Sequence, residues 1–418
     1  MSPAAAPSGQ RIGDGLAVGP DLTGAAEVAT GQALAALDGA RPDLLVFFVC
    51  PGAGPSLPVE ETEAAGLRVM ELAGAGTAIG ATAHGVIADS RGVEGAPSVA
   101  VWAAVLPGAD VAVLAPVAQR RPGAAPGGGD AITVRGLRGP GDGERVAILL
   151  ADPHAFPVGA VLERLNGDRP GFPVIGGLAS APGGPDANRL FVDGRVHDGG
   201  AVVALLGGQV RFRPVVSQGC RPIGPPMVVT RAEHNQLLEL AGRPAAERLR
   251  EIVVALPDDE QQQALRGLHL GVAVDEYAEE QERGDFLIRA VLGVDTGSGA
   301  VTAGDVLEVG TTVRFQVRDA AGAARNLYEL LGPLRRGGPL AGALLFSCNG
   351  RGAAMFGDAD HDVRAVRSGL DPDGAAAAPG TGAAGPPVAG FFAAGEIGPV
   401  GGRNHMHGFT ASVLVFDG

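Results

Sequence analysis

One pattern occurs three times along the 418 residues, and it restricts the fold more than any other feature of the chain. It opens with a short, mostly apolar run: "LLVFFVC" at 44–50, "VAILLAD" at 146–152 and "GALLFSC" at 342–348. Brief apolar runs bounded by turn formers read as strands buried on both faces. A helix-competent segment follows each run, "EETEAAGLRVMELAG", "VGAVLERLNG" and "DADHDVRAVRSG". In the first of these, Leu67, Met70 and Glu71 fall at three- and four-residue spacing. A second strand then carries the signature Gly-x-x-Ala-x-(Gly/Ala), as "GATAHG" from Gly80, "GGLASA" from Gly176 and "GFFAAG" from Gly390. The runs "SVAVWAAVL", "AVVALLGG" and "ASVLVF" close the three units.

Two parallel strands joined by a helix cross over right-handed, and a further strand can return beside them. Each unit therefore has a glycine-rich corner at the end of its second strand. Glycine there permits positive φ or the close approach of another backbone or a ligand. The intervals from Leu44 to Gly80, Val146 to Gly176 and Gly342 to Gly390 are 36, 30 and 48 positions. The excess in the third is taken up by "DPDGAAAAPGTGAAGPP", a low-complexity stretch expected to form a flexible surface loop at 374–385. Between the second and third units, a helix is predicted from Pro244 to about Ala255. The preceding "MVVTRAEHNQLLEL" has two readings. It is either a capped helix, with Thr230 and Glu233 at capping-box spacing, or a hairpin turning at "RAEHN". "DFLIRAVLGVD", the turn "TGSG" and "DVLEVGTTVRFQVRD" predict a long hairpin. The expected fold class is α/β (mixed α+β), with three strand-helix-strand-strand units forming mixed sheets flanked by helices and an inserted long hairpin-plus-helix block.

Composition narrows the function. The net charge of −14 argues against nucleic acid and anionic membrane as partners, and an aromatic content of 4% argues against base stacking. Cys50, Cys220 and Cys348 lie too far apart to read as a disulfide framework and fit a reducing compartment. The N-terminus lacks the basic start and apolar stretch of a secretory signal. Residues 97–118 are apolar enough to suggest a membrane span, but Pro107, Gly108 and Asp110 interrupt them, so two short strands are expected. A cytoplasmic protein with no cofactor is the expectation.

The stretches "GALLFSCNGRG", "VAGFFAAGEIGPVGGRNHMHGFTASVLVF", "RAEHNQLLELAGRPA" and "FLIRAVLGVD" together resemble the FIST-domain family, with FIST-N and FIST-C modules in tandem from about residue 30 onward. The resemblance favours the hairpin for "RAEHNQLLELAGRP". It implies a cytoplasmic sensory or signal-transduction module that binds small ligands such as amino acids, and it brings no catalytic residue set. On this basis 1–29 is expected to be a flexible N-terminus, 30–224 a FIST-N-like domain and 225–418 a FIST-C-like domain. Signalling would then run through a protein partner or through oligomer state.

The candidate ligand-binding residues are Cys348, Asn349, Gly350, Arg351, Gly395, Glu396, His405 and His407, all at the third corner. Successive backbone N–H groups from Cys348 to Gly352 could form an anion nest, with Arg351 adding a fork for a carboxylate. The plainer reading is a tight turn in which Arg351 pairs with a nearby carboxylate such as Glu396. As a zwitterion clamp, Glu396 would take a ligand's ammonium and Arg351 its carboxylate, both facing a pocket walled by Phe391, Phe392 and Met355. His405 and His407, two apart on one face of a strand, could join Glu396 as a His₂-carboxylate metal set, although no metal is expected. Cys348 is either core packing or the nucleophile of a hydrolase or transferase that uses His405 or His407. His84 and Asp152 mark the equivalent corners of the first two units. A non-catalytic sensor is the favoured expectation.

Overall fold

The computed structural model describes residues 9–54, 57–121, 131–274, 284–371 and 385–418. They form two compact units that interleave along the chain: Met1–Val216, Leu327–Met406 and Ala411–Gly418 in one, Ser217–Asn326 and His407–Thr410 in the other.

The first unit holds the three repeats. Their opening strands are Leu44–Cys50, Glu144–Ala151 and Leu340–Cys348, and their middle strands are Thr77–Thr82, Val174–Leu178 and Val388–Ala393. Opening and middle strands pair parallel in every repeat. The closing strands Ser98–Val105, Ala201–Gly208 and Thr410–Asp417 each return antiparallel to the opening strand. The register explains the shared signature. Its first glycine sits opposite Phe47, Leu149 and Leu345 respectively. A Cβ on Gly176 would lie 1.9 Å from the Leu149 carbonyl oxygen, and one on Gly390 only 1.6 Å from that of Leu345. No side chain fits there.

The crossover helices are Val59–Ala73, Val158–Asp168 and His361–Leu370. The first begins after Pro58, carries Glu60 and Glu61 in its opening turn, and ends at Gly74 in the left-handed conformation that a Cβ would disfavour. Its buried stripe runs through Ala65, Val69, Met70 and Ala73, whereas Leu67 is 40% exposed.

A short hairpin separates the middle and closing strands of each repeat, and the three hairpins are exchanged in a cycle. Gly85–Ala88 of the first repeat extends the sheet of the third. Leu190–Val192 of the second extends the first, and Glu396–Val400 of the third extends the second. Each sheet thereby reaches six strands, with Arg11–Val18, Ala109–Leu114 and Phe212–Gln218 on the opposite edges. The inner faces share one core. In it Phe48 stacks on Phe391 at 4.5 Å, and Phe346 meets both rings edge-on. Each fully buried aromatic ring contributes roughly 2–3 kcal/mol. Ser180 ties the three middle strands together at their ends. Its Oγ accepts from the His84 N–H and donates to the Phe392 carbonyl, while its own N–H donates to the Thr82 carbonyl.

The N-terminal expectation needs correction, because much of 1–29 is regular structure. Arg11–Val18 pairs along its length with Ser98–Val105, and the helix Leu22–Ala35 is capped by Asp21. Gly13 and Gly15 lie within that strand. They are there because Ala33 and Ala29 carbonyl oxygens lie 2.0 Å from where their Cβ atoms would be. Residues 97–118 give two strands, Ser98–Val105 and Ala109–Leu114, as expected, with a third, Val117–Arg121, starting at their end, and no helix among the described residues is long and apolar enough to cross a membrane. Most of the low-complexity stretch, 374–384, lies outside the described residues.

In the second unit the expected block is a closed antiparallel barrel. The strands Thr312–Arg318, Met227–Glu233, Gln236–Leu240, Ala300–Ala303, Phe286–Asp295 and Leu268–Ala273 follow one another, and the last pairs back onto the first. The hairpin at "RAEHN" forms, and the helix runs Ala245–Val254 with Pro244 as its N-cap. The long hairpin is corrected. Phe286–Asp295 pairs with Ala300–Ala303, whereas Thr312–Arg318 pairs with Leu268–Ala273, as barrel closure requires.

Candidate functional site

Because the three repeats share one register, their corners can be compared position by position. Cys50, Asp152 and Cys348 are equivalent, three residues after Phe47, Leu149 and Leu345. Three residues further on stand Ala53, Ala155 and Arg351. After the glycine-alanine signature stand Val86, Pro182 and Glu396. The guanidinium and the second carboxylate therefore belong to the third repeat alone.

Arg351 is wholly buried. Its Nε and Nη2 donate to the two oxygens of Asp362 at 2.7 and 2.8 Å, a bidentate pair. Asp362 also accepts from Ser347 Oγ at 2.7 Å and lies 3.0 Å from His361 Nδ1. Burial by itself would raise the Asp362 carboxyl, but the charge and bonds of Arg351 hold it well below the usual carboxylate range. Burial pulls Arg351 the other way. The Asp362 charge and bonds outweigh it, with Cys348 and Glu396 adding to them, so the guanidinium stays protonated. Arg351 thus stands within electrostatic reach of both Cys348 and Glu396.

The anion-nest expectation is corrected by the turn itself. The Asn349 N–H donates to the Ala393 carbonyl, that of Gly350 to Cys348 Sγ at 3.4 Å, and that of Arg351 to the Cys348 carbonyl. The fork edge meant for a ligand carboxylate holds Asp362. The partner foreseen for Arg351 in the plainer reading was Glu396; the bidentate partner is Asp362, eleven residues on. The signal was available in "HDVRAVRSGL", where Asp362 falls on the same helical face as Val363, Val366 and Leu370.

The other expected residues lie as follows. Cys348 ends its strand opposite Ala393 and is 5% exposed, Asn349 is exposed, and the Gly395 carbonyl accepts from the Leu178 N–H. Glu396 is fully buried on the exchanged hairpin. His405 is half-buried and His407 buried, both on Arg403–His407. Among the described residues, no three His, Cys, Asp or Glu side chains converge to hold a metal ion. The histidine beside the charged group is His361, which sequence reasoning passed over. Ser347, Asp362 and His361 do not act as a triad: the carboxylate lies between the other two, so the imidazole has no route to the Ser347 proton. The three cavities described are lined elsewhere, by residues around Leu149 and Phe172, Met70 and Asp193, and Leu249 and Val294.

Family comparison bears on the whole chain. The FIST N domain model matches residues 43–243 and the FIST C domain model residues 245–399. The chain belongs to the FIST family. Among similar proteins, the uncharacterised protein Rv0628c of Mycobacterium tuberculosis is 41% identical over 408 residues, covering 97% of this chain and 99% of the relative. The uncharacterised protein Mb0898c of Mycobacterium bovis is 40% identical over 408 residues, covering 97% and 98%. FIST domains are associated with signal transduction and small-ligand sensing. In this FIST protein, the FIST C match contains the whole charged corner, from Cys348 to Glu396.

Proposed function

We propose that this FIST protein is a non-catalytic intracellular sensor that binds a small charged metabolite, an amino acid or a carboxylate, at the corner of its third repeat. The observation that carries the reading is internal. The first two repeats build the same corner with Ala53 and Val86, or Ala155 and Pro182, where the third has Arg351 and Glu396. The scaffold therefore does not require these charges, and burying an ion costs several kcal/mol before its partners offset it. Arg351, bound to Asp362, sets the local charge, and Glu396 is the group assigned to a ligand ammonium. A signal would pass from this corner to a protein partner.

Thermal-shift screening of amino acids and organic acids, with native mass spectrometry of the purified chain, tests the reading. A ligand should raise the melting temperature by mass action, and Glu396→Gln should abolish the rise. Undiminished binding by Glu396→Gln would overturn the site.

A second reading, a hydrolase or transferase using Cys348, is favoured by one contact: the Gly350 N–H points at Sγ, close to the Arg351 charge. Cys348→Ser separates the two, since a sensor keeps its ligand-induced shift and an enzyme loses turnover.

A further inference from the structure

The connection from opening strand to helix is longer in the third repeat than in the others. It runs from Cys50 to Val59 and from Ala151 to Val158, but from Cys348 to His361. The extra length is a single helical turn, Gly352–Phe356, immediately after Arg351. Both ends are glycines with positive φ, +25° at Gly352 and +71° at Gly357. The turn is fastened by three contacts. The Glu94 carboxylate, on the hairpin lent by the first repeat, accepts the Ala353 N–H at 2.9 Å. It lies 2.6 Å from where a Cβ on Gly352 would be, so a side chain there would push the carboxylate aside. The Phe356 ring stacks on His361 at 3.5 Å and 7°, and the Arg351 guanidinium carbon lies 5.1 Å from its centroid.

We propose that Gly352–Phe356 is a lid over the charged corner, hinged at Gly352 and Gly357, latched by Glu94 and sealed by Phe356 on His361. One turn of helix has little internal cooperativity, so contacts at its edges rather than its own hydrogen bonds keep it in place. Opening exposes Cys348 and Arg351 together, while the strands beneath stay paired. The role of the lid in gating a ligand rests on the site proposed above; its opening is measurable with no ligand present.

Iodoacetamide labelling of the full-length chain, resolved by peptide mass spectrometry, reads the motion. Cys348 reports lid opening, and Cys50, buried at the equivalent corner, reports global unfolding. Local opening should make Cys348 label at least about tenfold faster than Cys50. Glu94→Gln keeps the shape but weakens a charge-assisted bond, and should speed Cys348 labelling about fivefold with Cys50 unchanged. Phe356→Ala should speed it more than about tenfold. The proposal fails if Cys348 and Cys50 label together in the parent, or if Glu94→Gln leaves the Cys348 rate unchanged. The Glu94 variant decides the matter should Phe356→Ala not fold. Failure here leaves the thermal-shift test of ligand binding standing.

Discussion

The second and third corners rest on equivalent sets of three strands but bury charge in different ways. At the second, Asp152 is 1% exposed and meets neutral donors, the His154 N–H at 2.8 Å and the Asn188 amide at 3.4 Å. At the third, an arginine and two carboxylates are buried together, with Arg351 bonded twice to Asp362. One scaffold therefore accepts either a lone acid solvated by dipoles or an ion pair. Neither arrangement is dictated by the fold.

The largest expected effect tests that contrast directly. Asp362→Ala leaves Arg351 buried without its main counter-charge and should cost about 3–5 kcal/mol in urea unfolding. Asp152→Ala removes bonds to neutral donors and should cost about 1–2 kcal/mol. Replacing both partners, Arg351→Met with Asp362→Leu, should recover most of the loss. Equal losses at the two corners, or no recovery in the double variant, would break the comparison.

Acid should sharpen it. In the barrel, His269 is buried with its ring edge-on to Phe409 at 4.1 Å. Burial, and secondarily the Arg318 charge, push its imidazole from 6.5 down to about 4. The unfolded chain then binds the proton first. The stability from neutral His269 is fully present above pH 6.5 and declines by about 3 kcal/mol as pH falls from 6.5 to 4. Asp362, held below its ordinary value of 3.8, keeps its charge throughout that window, and its contribution is lost only at lower pH. Urea midpoints measured from pH 7 to 4 should therefore flatten in His269→Gln and keep the parent's slope in the charged-corner double variant.

The smallest effect concerns how the hairpins are held. Asn404 accepts the Val174 N–H and donates to Asn166 Oδ1 and the Phe172 carbonyl, all among buried groups. Asn404→Ala should cost about 2 kcal/mol by leaving those partners unsatisfied. Glu94→Gln on the lid latch should cost under about 1 kcal/mol of global stability, since its carboxylate binds a helix end that opens locally. Denaturant midpoints of the two variants would show the ranking reversed if the lid were part of the core.

Apolar runs and glycine signatures made the three repeats legible, because both are local properties of a strand and its immediate neighbour. The hairpin at "RAEHN", the helix after Pro244 and the strands in 97–118 were legible for the same reason. Hairpin exchange was not, since nothing within Gly85–Ala88 specifies that its partner is Val388–Ala393 rather than the strand before it. Barrel closure escaped similarly, through the pairing of Leu268–Ala273 with Thr312–Arg318. At the corner, Arg351 and Glu396 stood out as charges in apolar company and the structure buries both. Asp362 was missed because "DADHDVR" looks like a solvated run, and the carboxylate facing inward is distinguished only by helical phase.

The exchanged hairpins also set a timetable for synthesis. Ile87 finds its partner only at Gly390, roughly three hundred residues later. At about 5–20 residues per second, the first hairpin leaves the ribosome some tens of seconds before the strand that receives it. Through that interval the hairpin edge that will receive Val388–Ala393 offers unpaired backbone to any neighbouring nascent chain. A polysome making this protein therefore carries several incomplete copies whose first hairpins present open strand edges to one another.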